Sequence, residues 1–171
     1  MKPPKVPLFF LIFFSICIAG CGVYSFRDTS IDYSKLKTIK VGFIENKARY
    51  VNPQLSTKLT DKIQLKVTNQ TKLIRTSNDD ASLVLSGYIS NYDPSLTVGI
   101  SNGQTATNRL TVTVHITLKN NVENKTNEYD VTRNFDFDAN KSLQDVESSL
   151  LDAQIIPAIT DDIFNKLFSN W

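Results

Sequence analysis

Cysteine, histidine and paired carboxylates are the side chains from which nucleophiles, general bases and metal sites are most often built. This chain has two cysteines, Cys17 and Cys21, and one histidine, His115. His115 alternates with threonines in Thr111-Val-Thr-Val-His-Ile-Thr117, so it belongs to the polar side of a strand. It has no cysteine or second histidine near it in sequence, which argues against a triad or a zinc site. Asp79-Asp80 and Asp161-Asp162 are adjacent pairs whose side chains diverge. They fit a turn and a solvated helix face better than an acid/base couple. No G-x-S-x-G, Walker-type or dinucleotide glycine pattern is present. The sequence therefore predicts no catalytic residues, no metal and no cofactor.

One spacing invites a closer look. Asp136, Asp138 and Asn140 alternate, and Glu147 stands at the twelfth position of the run with Leu143 at the eighth, much as in a calcium loop. Lys141 occupies the place where the sharp turn needs glycine, and the residues before it alternate like a strand rather than a helix. The better reading is a turn at Asp138-Ala-Asn140 followed by a helix capped at Ser142. The sequons at Asn69, Asn124 and Asn140 are expected by chance in a chain so rich in Asn and Thr.

The N-terminus is more specific. Lys2 and Lys5 precede the apolar run Leu8 to Ile18, and Ala19-Gly20-Cys21 follows. Basic end, apolar middle and small residues at a cut are the parts of a secretory signal. The run is shorter than the ~20 residues a membrane-spanning helix needs. Ile18-Ala19-Gly20-Cys21 resembles the bacterial lipobox, in which the thiol is acylated before cleavage. The sequence thus divides into a signal peptide over 1–20, a lipidated N-terminus and tether over 21–37, and one domain over 38–171. Several alkyl chains on Cys21 give a stable anchor where one chain is marginal. Residue 22 is Gly rather than Asp, which points to the outer membrane on its periplasmic side.

Loss of residues 1–20 removes Lys2, Lys5 and no acid, so the 19 basic residues fall to match the 17 acidic ones. A neutral chain gives no reason to expect nucleic acid as a partner. No thiol remains for a disulfide, so the domain must hold together by packing.

The elements follow from period and punctuation. Thr38 to Glu45 alternates, with Ile39, Val41 and Phe43 expected on the core face. Asn52-Pro53 starts a helix whose stripe is Leu55, Leu59, Ile63 and Val67. Lys72 to Arg75 is a short strand and Ser82 to Tyr92 a longer one. Asp93 to Asn108 reads as a flexible stretch. Arg109 to Lys119 alternates cleanly, with Leu110, Val112, Val114, Ile116 and Leu118 facing one way. Tyr129, Val131, Phe135 and Phe137 make the next strand, with Arg133 interrupting its apolar face. Ser142 and Asp145 form a capping box for a long last helix, which Pro157 either kinks or splits. The fold class is α+β in the order β-α-β-β-β-β-α: two helices on an antiparallel or mixed sheet of about five strands.

With these pieces in place the chain resembles the LPS-assembly lipoprotein LptE family. The features that carry the likeness are the lipobox with Cys21-Gly-Val-Tyr-Ser-Phe26, the strand Ile39-Lys-Val-Gly-Phe-Ile-Glu-Asn46, the helix from Asn52-Pro-Gln-Leu55, the run of hairpin strands and the capped last helix. The resemblance implies a non-enzymatic protein that plugs the LptD β-barrel and assists assembly of lipopolysaccharide, which such proteins also bind. The Thr111, Thr113, His115 and Thr117 face suits a water-filled barrel interior. Lipid phosphates call for Arg or Lys, and Arg109, Lys119 and Arg133 are the candidates. The alternative is a periplasm-facing lipoprotein adaptor or pilotin of another envelope complex. Cys21→Ser is expected to abolish incorporation of labelled palmitate and to release the protein from the membrane fraction. Full labelling of that variant would refute Cys21 as the acceptor.

Overall fold

A computed structural model describes residues 31–98 and 107–168; the signal segment and Cys21 lie outside the described residues. The elements are β1 (Thr38–Asn46), α1 (Leu55–Gln70), β2 (Ile74–Arg75), β3 (Leu83–Val98), β4 (Thr107–Asn120), β5 (Lys125–Asp138), α2 (Leu143–Leu150), a π turn (Leu151–Ile155) and α3 (Ile156–Phe168). The five strands form one sheet in the order β2-β1-β3-β4-β5. β1 runs parallel to both β2 and β3, while β3, β4 and β5 form an antiparallel meander. This is the expected α+β order, with a mixed sheet.

The alternation of β4 decides the architecture. Leu110, Val112, Val114, Ile116 and Leu118 are all at most 1 % exposed and face the helices. Burial of each such side chain contributes roughly 1.5–3 kcal/mol. The stripe Leu55, Leu59, Ile63 and Val67 of α1 is buried with them, as are Ile159, Ile163 and Leu167 of α3. Both helices thus lie on one side of the sheet. At its start, Ile31, Tyr33 and Leu36 also pack on this core.

Three local departures have physical causes. The register between β1 and β3 shifts between Val41 and Ile44. The extra residue turns Phe43 outward, 57 % exposed, and gives its expected core place to Ile44, which is fully buried. The backbone N–H of Ile44 then donates to Thr60 Oγ1 on α1 at 3.0 Å. The second departure is in the stretch expected to be flexible. β3 continues to Val98 and β4 begins at Thr107, with Asp93 paired to Thr111 and Val98 to Thr107. Pro94 is accommodated because the register shifts between Asp93 and Leu96.

Third, Pro157 neither ends the last helix nor divides it. It lacks an N–H, and its ring crowds the carbonyl four residues back. The helix widens ahead of it, with Ile156 N–H donating to Leu151 O, five residues back. The extra residue carries the buried stripe from Leu150 and Leu151 to Ile155 and then Ile159. Ser142 N–H and Oγ both reach Asp145 Oδ2, at 3.1 and 2.6 Å, so the helix begins at the expected capping box. α1 starts at Leu55, two residues later than Asn52-Pro53 predicts, after a turn in which Asn52 Oδ1 accepts from Gln54 N–H at 2.8 Å and Leu55 N–H at 3.1 Å.

At Gly87 the β3 backbone leaves no room for a side chain against β4. A Cβ there would sit 2.4 Å from the carbonyl oxygen of His115. Gly87→Ala is expected to destabilise the domain by about 2–4 kcal/mol, read as a drop in the denaturation midpoint. An unchanged midpoint would show that the two strands can separate at no cost.

Candidate functional site

Among the described residues nothing covers the side of the sheet away from the helices, and its side chains form cross-strand rows. One row is Lys40, Val84, Lys119 and Thr126; the next is Ser86, Thr117 and Glu128; then Glu45, Tyr88, His115 and Asp130. Beyond a register shift come Asn91, Thr113 and Thr132, then Asp93, Thr111 and Asn134, and finally Arg109 with Asp136. Most of these rows are closed by a hydrogen bond. Thr113 and Thr132 hydroxyls are 3.0 Å apart, and Thr111 Oγ1 donates to Asn134 Oδ1 at 3.0 Å. His115 Nδ1 lies 2.9 Å from Asp130 Oδ1, and its ring packs at 5.1 Å on Tyr88. Such pairs hold each other upright and offer hydrogen-bonding groups outward. Phe43 projects from this face at the β1 bulge.

The three candidate cations are not brought together. Arg109 is on the open face, where its Nε and an Nη reach Asp136 at 2.6 and 2.8 Å. The guanidinium hydrogen bonds hold the Asp136 carboxyl below its ordinary pKa. Lys119 is on the same face, ten residues along β4, or roughly 33 Å at the rise of a strand. It makes no ion pair among the described residues. Arg133 pairs with Val112 in register and so belongs to the helix side. There it donates to both oxygens of Asp162 on α3, at 2.5 and 2.7 Å. The polar break that Arg133 makes in the apolar pattern of β5 is thus a strap between strand and helix.

The acidic motifs also separate. Asp161 takes Lys66 of α1 at 2.8 Å while its neighbour Asp162 takes Arg133. Asp79 pairs with Lys40. Of the calcium-like set, Asp136 serves Arg109 and Asp138 accepts from Asn140 N–H at 2.9 Å. Glu147 turns to a cluster with no signature in the sequence. Its Oε1 accepts the hydroxyl of Tyr92 at 2.8 Å and its Oε2 that of Tyr50 at 3.4 Å. The two tyrosine rings stack at 5.6 Å. The partners are 55 and 97 residues apart in sequence, so only the fold reveals them.

The described residues form a two-helix, five-strand α+β domain with one polar sheet face. Its family is shown by a family model, LptE, described as lipopolysaccharide-assembly, which matches residues 36–167. The chain belongs to that family. No curated protein sequence matches it. Among solved structures, a minor lipoprotein from Acinetobacter baumannii is similar at 18 % identity, with a TM-score of 0.50, over 78 % of this chain and 94 % of that one. The rare lipoprotein B from Shewanella oneidensis has 16 % identity and a TM-score of 0.49, over 75 % and 92 %. At these identities the likeness to the first structure is one of fold, the same α+β domain.

Burial, followed by the hydrogen bond to Glu147, raises the pKa of Tyr92 far above its ordinary value, and Tyr50 shifts the same way for the same causes. The folded state therefore keeps protons that the unfolded chain releases above pH ~10. Stability is full below that pH and is expected to fall above it, by up to about 1.4 kcal/mol per pH unit from Tyr92. Urea titrations across pH 9–11 should show the fall, and Tyr92→Phe should make it shallower. An identical slope in the variant would contradict the assignment.

Proposed function

We propose that this protein is an outer-membrane lipoprotein, anchored through Cys21 on the periplasmic side, that seats its open sheet face in the lumen of an LptD-type β-barrel. Bound there it assists lipopolysaccharide towards the outer leaflet and carries out no chemical step itself. Membership of the lipopolysaccharide-assembly family supports the process. The observation that carries the reading is the uncovered face, built of threonine, asparagine and paired charges rather than an apolar patch. A barrel interior is polar and wet, and a partner made to fill it needs many hydrogen-bonding groups held rigidly in place. The threonine and asparagine rows of β4 and β5 supply them. Phe43 supplies one apolar anchor of the kind that dominates interface energetics.

For lipopolysaccharide, Lys119 and Arg109 are the cations on this face that could meet a phosphate, Lys119 more readily because Arg109 is engaged by Asp136. Arg133, on the opposite side and held by Asp162, fits a structural role. Mild-detergent purification of the tagged protein is expected to bring down a stoichiometric large barrel. Thr113→Lys combined with Phe43→Asp, both at solvent-accessible positions, is expected to lower that yield at least about tenfold, the cost of losing one interface hot spot, with the thermal midpoint little changed. Equal recovery by the variant would exclude the open face, and recovery of a different complex would exclude the barrel.

A further inference from the structure

At and around the open face several acids carry their own cation. Lys40 meets Asp79, Lys47 meets Glu45, Lys125 meets Glu123 and Arg109 meets Asp136. Glu128 and Asp130 differ. They stand two residues apart on the open side of β5, and among the described residues their only ionisable partner is His115 of β4. Their side chains are 64 % and 67 % exposed, whereas that of His115 is 22 % exposed, with its ring against Tyr88 of β3.

The hydrogen-bonding capacity of these groups defines what they lack. His115 Nδ1 lies 2.9 Å from Asp130 Oδ1, and a carboxylate only accepts, so the neutral ring carries its proton on Nδ1. Nε2 is then a bare acceptor, and it faces Glu128 Oε2 at 4.0 Å, another acceptor. One imidazole nitrogen and two carboxylates are thus gathered with no donor to spare. A guanidinium supplies the missing parts: several N–H groups in a fixed planar fork, a positive charge and a flat face. The neighbouring ring already receives a cation, since Lys47 Nζ stands 4.9 Å from the centroid of Tyr88. Tyr88 in turn packs on the His115 ring. A metal ion fits less well. No group of three metal-ligating side chains exists among the described residues, and Nε2 with Glu128 alone would leave most of a coordination shell to water.

We infer that the Glu128–His115–Asp130 cluster seats an arginine side chain presented by the protein that docks on the open face. The inference rests on that face being the docking surface. It identifies the partner by its chemistry: a guanidinium bridging Glu128 and Asp130 and lying against the Tyr88–His115 stack. The threonine rows offer neutral hydrogen bonds and Phe43 an apolar anchor. This cluster adds the charge contact, the kind that fixes register and excludes wrong partners.

His115 is the only histidine in the chain, so its imidazole gives one NMR reporter at the site. The lipidated protein in mild detergent, without a histidine tag and with EDTA present, is titrated with acetyl-Gly-Arg-Gly-amide. The His115 signals are expected to shift and saturate with Kd on the order of 1 mM, as befits one charged side chain. The corresponding Lys peptide should bind at least about threefold more weakly, because an ammonium is no planar fork. Glu128→Gln with Asp130→Asn removes both charges at exposed positions and keeps the side-chain shapes. It should weaken binding of the Arg peptide by about tenfold or more. No shift at about 20 mM, some twentyfold above the expected Kd, would overturn the site. So would equal binding of the two peptides, or an unchanged titration in the double variant. A His115 shift that follows protein concentration without peptide would assign the face to a second copy and overturn it too. In mild-detergent purification the double variant is expected to recover about tenfold less barrel than the parent. Equal recovery overturns the inference and leaves the Thr113 and Phe43 test of the open face standing. Absence of a barrel from the parent sinks the barrel reading alone, and the peptide titration still decides the arginine site.

Discussion

A fourteen-residue strand that alternates without interruption can be covered on one side only. β4 is such a strand, and its five aliphatic side chains must be shielded from water while the residues between them cannot be buried without losing hydrogen bonds. Both helices are accordingly drawn to the same side, and the other is left to threonine, histidine and charge. Much of the remaining structure depends on this asymmetry. The helices need holding to one another and to the sheet edge, which the pairs Lys58–Asp152, Lys66–Asp161 and Arg133–Asp162 do from the rim. Such exposed pairs are worth at most about 1 kcal/mol each. They fix orientation, and burial of the aliphatic stripes provides the stability.

The open face is held to a single arrangement by its own side chains. A threonine on a strand has few rotamers, and one hydrogen-bonded across to another has fewer still. The surface is therefore polar without being soft. A partner meeting it need not first freeze a set of long flexible side chains, which keeps the entropic cost of association low. Phe43 differs from its surroundings because the β1 bulge lifts it out of the core, and the same bulge frees Ile44 to replace it and to bond Thr60.

Elements governed by local period could be read from the sequence: β4, the stripe of α1, the capping box at Ser142 and the α+β order. The polar side of β4 was legible for the same reason, since period 2 assigns every second residue to one face. What depended on a single inserted residue was not. The bulge at Val41–Ile44 reverses the face of Phe43 and leaves no mark in composition, while Pro157 marks a disturbance of the last helix without showing that a π turn would shift its stripe by one. Asp93 to Val98 carries Pro94, a reliable sign of a break in an isolated chain, but the neighbouring strand β4 is long enough to hold the bulged segment in the sheet. The cations Arg109, Lys119 and Arg133 were recognisable as charges near strands. Their separation by face and by distance required the register. The cluster of Tyr50, Tyr92 and Glu147 is assembled from three distant elements and has no local signal.

β5 is the outer strand of the meander, with β4 on one side of it and, among the described residues, no strand on the other. Its residues on the open face include Glu128, Asp130, Asp136 and Asp138, acidic at four of the positions that a second sheet would have to meet. Two copies aligned antiparallel through these edges, with like faces together, would bring carboxylates towards carboxylates. Such contacts repel, and inserted charge is one of the ways in which exposed edges are kept from growing into larger sheets. The strand that completes the polar surface therefore also acts as a terminator: its charges disfavour extension of the sheet through this edge.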